Sequence, residues 1–187
     1  MLVALNGCNN RSAPPAKQPL VASSYFNLSG FVQQQVQQLT AAHPAVRKTV
    51  TTASGTPETK VFADLNWNQE LETFTQADIN KPALRAAYTV TKATLPDGHT
   101  QTTYRKRSGY HDTPVEYLQI TTNPQQQVTQ IIGRQTDRNS FVDSFKEFSL
   151  TCTPAQGQTR LRTYAVSGVQ KTIFFPEMRY RVQGQVL

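Results

Sequence analysis

The second half of the chain alternates apolar and polar residues with a period of two. The alternation begins at Tyr88 and is interrupted by short segments rich in Pro, Asp, Asn and Gly, such as Pro96-Asp97-Gly98. This pattern is typical of β-strands with one buried face, joined by turns. The seven predicted strands are residues 88–95, 100–107, 115–121, 128–136, 142–152, 160–169 and 172–183. Consecutive strands with short turns form an antiparallel meander, and a sheet of this width is expected to curve.

One amphipathic helix is predicted before the strands. Its apolar residues recur at helical spacing, with glutamines on the opposite face, and they are Leu28, Phe31, Val32, Val36 and Leu39. Asn27 or Ser24 can cap its start, and Pro44 lies just past its end. We therefore expect Phe31 to be buried against the sheet and Gln34 to be exposed.

A hairpin and a second helix are predicted between this helix and the meander. The hairpin covers residues 46–52 and 58–62, with Ser54-Gly55 at its turn. The second helix follows Asp64 and ends before Pro82. Its apolar face carries Trp67, Leu71 and Phe74. The predicted fold class is α+β: a long, curved antiparallel β-meander of about seven strands, with the N-terminal helix, the β-hairpin and the second helix packed on one face.

The composition predicts no membrane-spanning helix in the body, and its basic charge permits attraction of anions. No stretch of the 187 residues approaches the ~18–20 consecutive apolar residues of a spanning helix. Charged residues make up only 17%, yet the net charge is +7. A basic surface attracts lipid phosphates, acidic glycans or nucleic acid, and it is equally compatible with a cationic surface that has no dedicated partner.

The N-terminus carries an apolar run followed by a cysteine. Leu2-Val3-Ala4-Leu5 leads into Asn6-Gly7-Cys8, and a polar, Pro-containing segment follows. The stretch Leu5-Asn6-Gly7-Cys8 resembles the lipobox of bacterial lipoproteins. The resemblance implies a signal peptide remnant at 1–7, acylation of Cys8, a lipid-anchored flexible tether at 8–24 and a single domain at 25–187. It also implies a membrane-anchored place in the cell envelope, at the outer membrane, where nucleic acid is not an expected partner.

Two stretches of the body resemble an uncharacterised group of bacterial envelope lipoproteins. They are residues 74–85 and 168–175, together with the opening Tyr25-Phe26. The resemblance supports lipoprotein status and brings no assigned activity and no catalytic residues. The expected function is therefore that of a non-enzymatic envelope lipoprotein with a binding or assembly role. The expected architecture is also similar to that of lipoprotein carriers, in which a curved sheet holds an acyl chain beneath helices. A carrier of lipid or another apolar ligand in the concavity of the sheet is therefore the alternative.

The sequence contains no motif of a nucleophile, a metal site or a phosphate-binding loop. The three histidines are scattered, and His111-Asp112 is the only adjacent histidine–carboxylate pair. A metal needs three or four ligands, so neither a metal nor another cofactor is predicted. A hydrolase whose site assembles from distant residues, such as His111 and a carboxylate, is the third alternative.

Two arginine pairs are candidates for anion binding. Arg160 with Arg162, and Arg179 with Arg181, have the i, i+2 spacing that places two side chains on one face of a strand. Because the last two strands are expected to pair, all four could meet and bind phosphates of lipid or of another anionic envelope component. Strand parity, however, places the pairs on opposite faces unless a bulge intervenes. The alternative is that they are solvated positions that protect the sheet from aggregation.

Other residues have structural interpretations. Cys152 is expected to be a free, buried thiol near the end of a strand. Asp78 and Asn80 are expected to cap the short turn around Pro82, with a binding or docking role as the alternative for Asp78. The aromatic residues of the meander are expected in the core, and these are Phe141, Phe145, Phe148, Tyr164, Phe174, Phe175 and Tyr180.

Overall fold

The computed structural model describes residues 25–53, 55–138, 141–155, 157–173 and 176–187. The predicted lipidation site Cys8, the tether and Ser24 lie outside these residues. The described residues form helices α1 (Leu28–Ala42), α2 (Trp67–Glu70) and α3 (Glu72–Gln76), a 3₁₀ turn (Pro82–Leu84) and nine strands. The strands are β1 (Val46–Thr52), β2 (Glu58–Phe62), β3 (Tyr88–Thr94), β4 (Thr100–Lys106), β5 (Val115–Thr122), β6 (Val128–Arg138), β7 (Val142–Ala155), β8 (Gln158–Thr172) and β9 (Met178–Val186). No helix within the described ranges has the length and apolarity needed to cross a bilayer.

The nine strands of the described residues form one open antiparallel sheet in the order β2-β1-β9-β8-β7-β6-β5-β4-β3. The seven-stranded meander is confirmed as β3 to β9. The sequence predicts that the hairpin packs on one face of the sheet, and this prediction is wrong. The hairpin instead extends the sheet at its edge. Strand β1 pairs with β9 along its whole length, from Val46 opposite Val186 to Thr52 opposite Tyr180. The sheet therefore dominates the fold, and the α+β class fits it only loosely.

Helix α1 has a defined cap at each end. Asn27 is the N-cap, because its Oδ1 accepts a hydrogen bond from the Gly30 N–H at 2.8 Å. At the other end, His43 adopts a left-handed conformation with φ 47°, and its N–H donates to the Leu39 carbonyl. This cap reverses the chain just before Pro44, where the sequence predicts the helix to stop.

The buried face of α1 differs from the predicted one at two positions. Phe31 is only half-buried, because it lies at the margin of the core and packs against the Phe26 ring, with 5.9 Å between the ring centroids. Gln35 is buried instead, at 1% exposure. It lies three residues after Val32 and four before Leu39, in the middle of the apolar stripe. The helix therefore carries a buried amide that needs hydrogen-bond partners.

The second predicted helix consists of two short helices. They are separated at Leu71, whose backbone (φ −100°, ψ 8°) leaves helical geometry. The three predicted apolar residues nevertheless remain buried. After α3, the Asp78 carboxylate accepts hydrogen bonds from the N–H groups of Asn80 and Leu28, each at 3.2 Å. Asp78 thus caps the turn after α3 and the start of α1. The 3₁₀ turn at Pro82–Leu84 has no side-chain cap, so the predicted capping of the turn around Pro82 by Asp78 and Asn80 is wrong.

Aromatic rings fill the layer between the helices and the sheet. The Phe74 ring makes edge contacts with the rings of Phe148 and Tyr164, at centroid distances of 5.7 and 6.4 Å. Each of these two strand residues lies opposite a glycine, Gly133 for Phe148 and Gly184 for Tyr164. A Cβ on either glycine would collide with the ring. The glycines therefore make room for the rings that the helices cover.

The predicted aromatic core is confirmed only in part. Phe148 and Tyr164 are buried, whereas Phe145 and Tyr180 are half-buried. Phe141 is 67% exposed just before β7, so its predicted burial is wrong. The remaining two residues of the set, at positions 174 and 175, lie outside the described residues.

Candidate binding clefts

The four arginines predicted as one anion site form two separate pairs. In the register of β8 and β9, Arg181 lies opposite Ser167. Arg162 lies further along β8, about 16 Å away at 3.3 Å per residue. Arg160 and Arg179 are further apart still, because they extend the two strands in opposite directions. The pairs must therefore be considered as two sites.

A β-bulge sets the direction of the first pair. The pairing of β7 with β8 shifts by one residue between Thr151 and Cys152, because Thr151 lies opposite Thr163 and Cys152 opposite Leu161. Arg162 is therefore an extra residue in β8. Leu161 and Tyr164 are consequently both buried although they are three residues apart. Arg160 and Arg162 are both exposed. The bulge thus keeps both arginines out of the core, although their parity matches that of buried Tyr164.

The first pair lies on a cleft of about 750 Å³ beside the C-terminal half of α1 and the ends of β7, β8 and β9. We call it the helix–hairpin cleft, after helix α1 and the consecutive strands β7 and β8 that border it. Leu39, Leu161 and Val186 contribute apolar wall, and Arg160 and Arg162 are the charged side chains. None of the described residues that line it is an aspartate or glutamate, and neither arginine forms an ion pair with another described residue. The cleft therefore combines apolar surface with two arginines that form no ion pair with another described residue.

Buried Gln35 fixes α1 to the wall of this cleft. Its Oε1 accepts a hydrogen bond from the Leu161 N–H at 2.8 Å, and its Nε2 donates to the Thr159 carbonyl at 3.0 Å. Strand β9 pairs with β8 only from Thr163 onward. The side chain of Gln35 therefore satisfies backbone groups of β8 that β9 does not reach. The sequence signal for this role was the phase of Gln35 within the apolar stripe.

The second pair of arginines does not form a site of its own. Arg179 Nη2 lies 2.5 Å from Glu177 Oε1, so its charge is neutralised. Arg181 instead shares a shallow groove of about 360 Å³ with Arg47, over a floor that includes Ala165. This groove is smaller and more polar than the helix–hairpin cleft, and it offers little surface for an apolar group.

A partly buried polar cluster joins α2 to the sheet. Glu70 Oε1 accepts a hydrogen bond from the Tyr164 hydroxyl at 2.6 Å, and its Oε2 lies 2.8 Å from Lys48 Nζ. Burial and the adjacent carboxylate raise the pKa of Tyr164 far above its usual range, so the phenol remains a donor. The Glu70 carboxylate thus accepts from the Tyr164 hydroxyl and pairs with the Lys48 ammonium group. The cluster therefore fastens α2 to β8 and β1 and presents no free acid or base.

The other side chains that could take part in catalysis or metal binding do not come together in one site. His111 and Asp112 are exposed in the turn that follows β4. Within the described ranges, no group of three His, Cys, Asp or Glu side chains is placed to hold a metal ion. Cys152 is a free, buried thiol, as predicted, and burial raises its pKa to about 12. A thiol in this state is a core residue and a poor nucleophile.

Comparisons with known proteins gave no relatives: no protein-family model, curated protein or solved structure matches this chain. The resemblance to envelope lipoproteins therefore stays a prediction from the sequence. The function of the chain is inferred from the chemistry of its own clefts.

Proposed function

We propose that this chain is a non-enzymatic binding protein of the bacterial cell envelope, held at the outer membrane by an acyl anchor on Cys8. Its helix–hairpin cleft holds an anionic amphiphile of that compartment, such as an acidic lipid. One observation carries the proposal. Arg160 and Arg162 lie beside an apolar wall in a cleft whose described lining has no carboxylate side chain.

The two halves of the cleft match the two halves of such a ligand. A guanidinium forms paired hydrogen bonds with phosphate or carboxylate oxygens, and two of them can hold one head group. The apolar wall, which includes the largely buried Leu39, Leu161 and Val186 and the exposed Leu187, offers contact to an acyl chain. The volume of about 750 Å³ lies within the ~300–1,000 Å³ typical of small-molecule sites. Part of an acyl chain and its head group fit this space.

The alternatives receive less support from the structure. For a carrier that holds lipid between the sheet and the helices, that space is occupied by Leu28, Val32 and Phe74, which are fully buried. A ligand there has to displace a helix, whereas the helix–hairpin cleft is already open. For a hydrolase, His111 and Asp112 are exposed in a turn, and no other observation on the described residues favours that activity.

Native mass spectrometry of the full chain tests this proposal. The protein should carry Cys8→Ser, so that no covalent lipid is present, and should be purified from its bacterial host. We expect a non-covalent adduct with the mass of an acidic lipid, lost when Arg160→Gln and Arg162→Gln are added. Arg179→Gln with Arg181→Gln is the matched control, because it removes the same charge from β9 and should keep the adduct. Absence of any adduct, or equal loss in both variants, contradicts the proposal.

A further inference from the structure

A second cleft lies further along β6 to β9, away from the helix–hairpin cleft, and the proposed function does not use it. Its volume is about 470 Å³. We call it the amide cleft, because three glutamine side chains lie among the residues that line it. The lining residues used below are Gln76, Gln135, Ser144, Lys146, Gln170 and Tyr180.

The strand register places three lining residues of this cleft and one glycine in one row. Gln135 lies opposite Lys146, Lys146 opposite Gly168, and Gly168 opposite Tyr180. Gly168 has no side chain, and the Tyr180 hydroxyl lies over it, so that a Cβ there would be 2.8 Å from that oxygen. The Tyr180 phenol therefore covers Gly168, next to Lys146 in the same row.

One polar group in the cleft lacks a partner. Gln135 is 7% exposed, and its side-chain carbonyl oxygen is buried without a hydrogen bond to any described residue. An unpaired buried carbonyl is unfavourable, and native proteins seldom retain one without a reason. A ligand that supplies an N–H or O–H donor to Gln135 Oε1 would remove this penalty.

The charge of the cleft is balanced. Lys146 is the cationic side chain of its described lining and Asp137 the anionic one, and neither forms an ion pair with another described residue. The remaining polar side chains are amides and hydroxyls, each of which can donate and accept. This combination suits a neutral ligand rich in both donors and acceptors better than an ion.

A peptide is a poorer match than a small polar molecule. Strands β6, β7 and β8 are each paired with two neighbours, and β9 pairs with β8 and β1. Along most of the described lining both backbone edges are therefore already paired, and adding a peptide strand requires a free edge. Recognition has to come from side chains, and Tyr180 adds a flat ring against which the C–H face of a sugar can pack.

From these observations we propose that the amide cleft is a binding site for a neutral saccharide. Gln135 accepts a hydrogen bond from a hydroxyl or acetamido N–H of the sugar. Lys146 and Gln170 donate to its oxygens, and the ring of Tyr180 contacts one face of it. The site is independent of the helix–hairpin cleft, so either function can hold without the other.

The test is an NMR titration of the full chain with three neutral sugars: N-acetylglucosamine, its β-1,4-linked dimer and maltose. At about 50 mM a sugar with a millimolar Kd is close to saturation. We expect at least one sugar to shift the side-chain amide signals of Gln135 and Gln170 in a saturable manner. Gln135→Leu should weaken binding at least tenfold. Because it removes an unpaired buried carbonyl, it should leave Tm unchanged or higher.

Gln130→Leu is the matched control, since it makes the same change on the exposed opposite face of β6 and should leave sugar binding intact. The combined Arg160→Gln and Arg162→Gln variant should also bind sugar normally, which separates this site from the proposed amphiphile site. Absence of saturable shifts with all three sugars overturns the proposal. So does a Gln135→Leu variant with a lowered Tm, because Gln135 would then be a structural residue hydrated by internal water.

Discussion

The carboxamide of Gln35 binds the backbone of Leu161 in the position that a neighbouring strand would otherwise occupy. Its Oε1 accepts from the Leu161 N–H at 2.8 Å, at the point where β9 no longer pairs with β8. A single helix side chain thereby completes the hydrogen bonding of β8. It also fixes α1 against the wall of the helix–hairpin cleft.

Loss of this amide should destabilise the protein strongly. Gln35→Leu keeps the volume but leaves the Leu161 N–H and the Thr159 carbonyl without partners. Each unpaired buried group costs about 1–3 kcal/mol, so we expect the two together to lower the free energy of unfolding by about 2–6 kcal/mol. Urea unfolding measures it. Gln37→Leu, on the exposed face of α1, should stay within about 0.5 kcal/mol of the parent. Equal losses in the two variants would contradict the role assigned to Gln35.

Local patterns were sufficient to predict most of the fold. The alternation from Tyr88 onward and the turn sequences gave all seven meander strands in their order, because each strand pairs with the next along the chain. The apolar period and the caps gave α1 with its start at Leu28. These elements depend on interactions between residues close in sequence, which a periodic pattern records directly.

No local sequence pattern predicts the long-range contacts of the fold. The pairing of β1 with β9 joins Val46 to Val186 across most of the chain, and nothing local indicates that a hairpin extends a sheet at that distance. The partners of Gln35 are equally distant. The phase of Gln35 in the apolar stripe shows that it is buried, but not what it binds.

The sequence predicts a single anion site from the two arginine pairs, but not the distance between the pairs. The i, i+2 spacing of Arg160 and Arg162 does place them together on one cleft. Their distance from Arg181 depends on the register of β8 and β9. The predicted strand ends at residue 169, whereas β8 continues to Thr172, which lies opposite Val142. The bulge at Arg162, which keeps the pair exposed, also had no sequence signal.

Stability should depend on pH through Glu116. Burial by itself raises the pKa of this carboxyl group, but hydrogen bonds from Lys106 and Thr136 outweigh it, so the pKa lies below its ordinary value of 4.5. A folded pKa below the unfolded one means that the stabilising contribution is complete above the unfolded pKa. It is lost as the pH falls through the folded pKa.

Glu116→Gln should therefore lower stability at neutral pH and match the parent in acid. Urea unfolding at about pH 7 and about pH 3 measures the difference. The exposed Glu58→Gln variant serves as the control and should track the parent at both pH values. A destabilisation by Glu116→Gln that is the same at both pH values would contradict the ionic role of the carboxylate.

Cys152 should react slowly in the folded protein. With a pKa raised to about 12 by burial, only about one thiol in ten thousand is ionised at about pH 8. Iodoacetamide should modify it within minutes in denaturant and far more slowly under native conditions, as followed by intact-mass spectrometry. Equal rates in the two states would show that the thiol is accessible, contrary to the structure.

The anchor prediction concerns Cys8. In the bacterial host, Cys8→Ser should move the protein from the membrane to the soluble fraction, because the acylated residue is lost. Cys152→Ser is the matched control and should remain membrane-bound. Immunoblotting measures how much of each variant is in the membrane fraction and how much is in the soluble fraction. A Cys8→Ser variant that sediments with membranes as the parent does would refute the lipoprotein assignment.

The most direct measurement of the central claim is calorimetric titration of the full Cys8→Ser chain with lysophosphatidylglycerol, a single-chain anionic lipid, below its micelle concentration. Binding should saturate at one lipid per chain, and zwitterionic lysophosphatidylcholine should bind more weakly. Adding Arg160→Gln and Arg162→Gln should weaken binding at least tenfold, or about 1.4 kcal/mol, whereas adding Arg179→Gln and Arg181→Gln should change it less than threefold. Absence of saturable binding, or equal weakening by the two arginine pairs, would contradict the assignment of the helix–hairpin cleft as an amphiphile site.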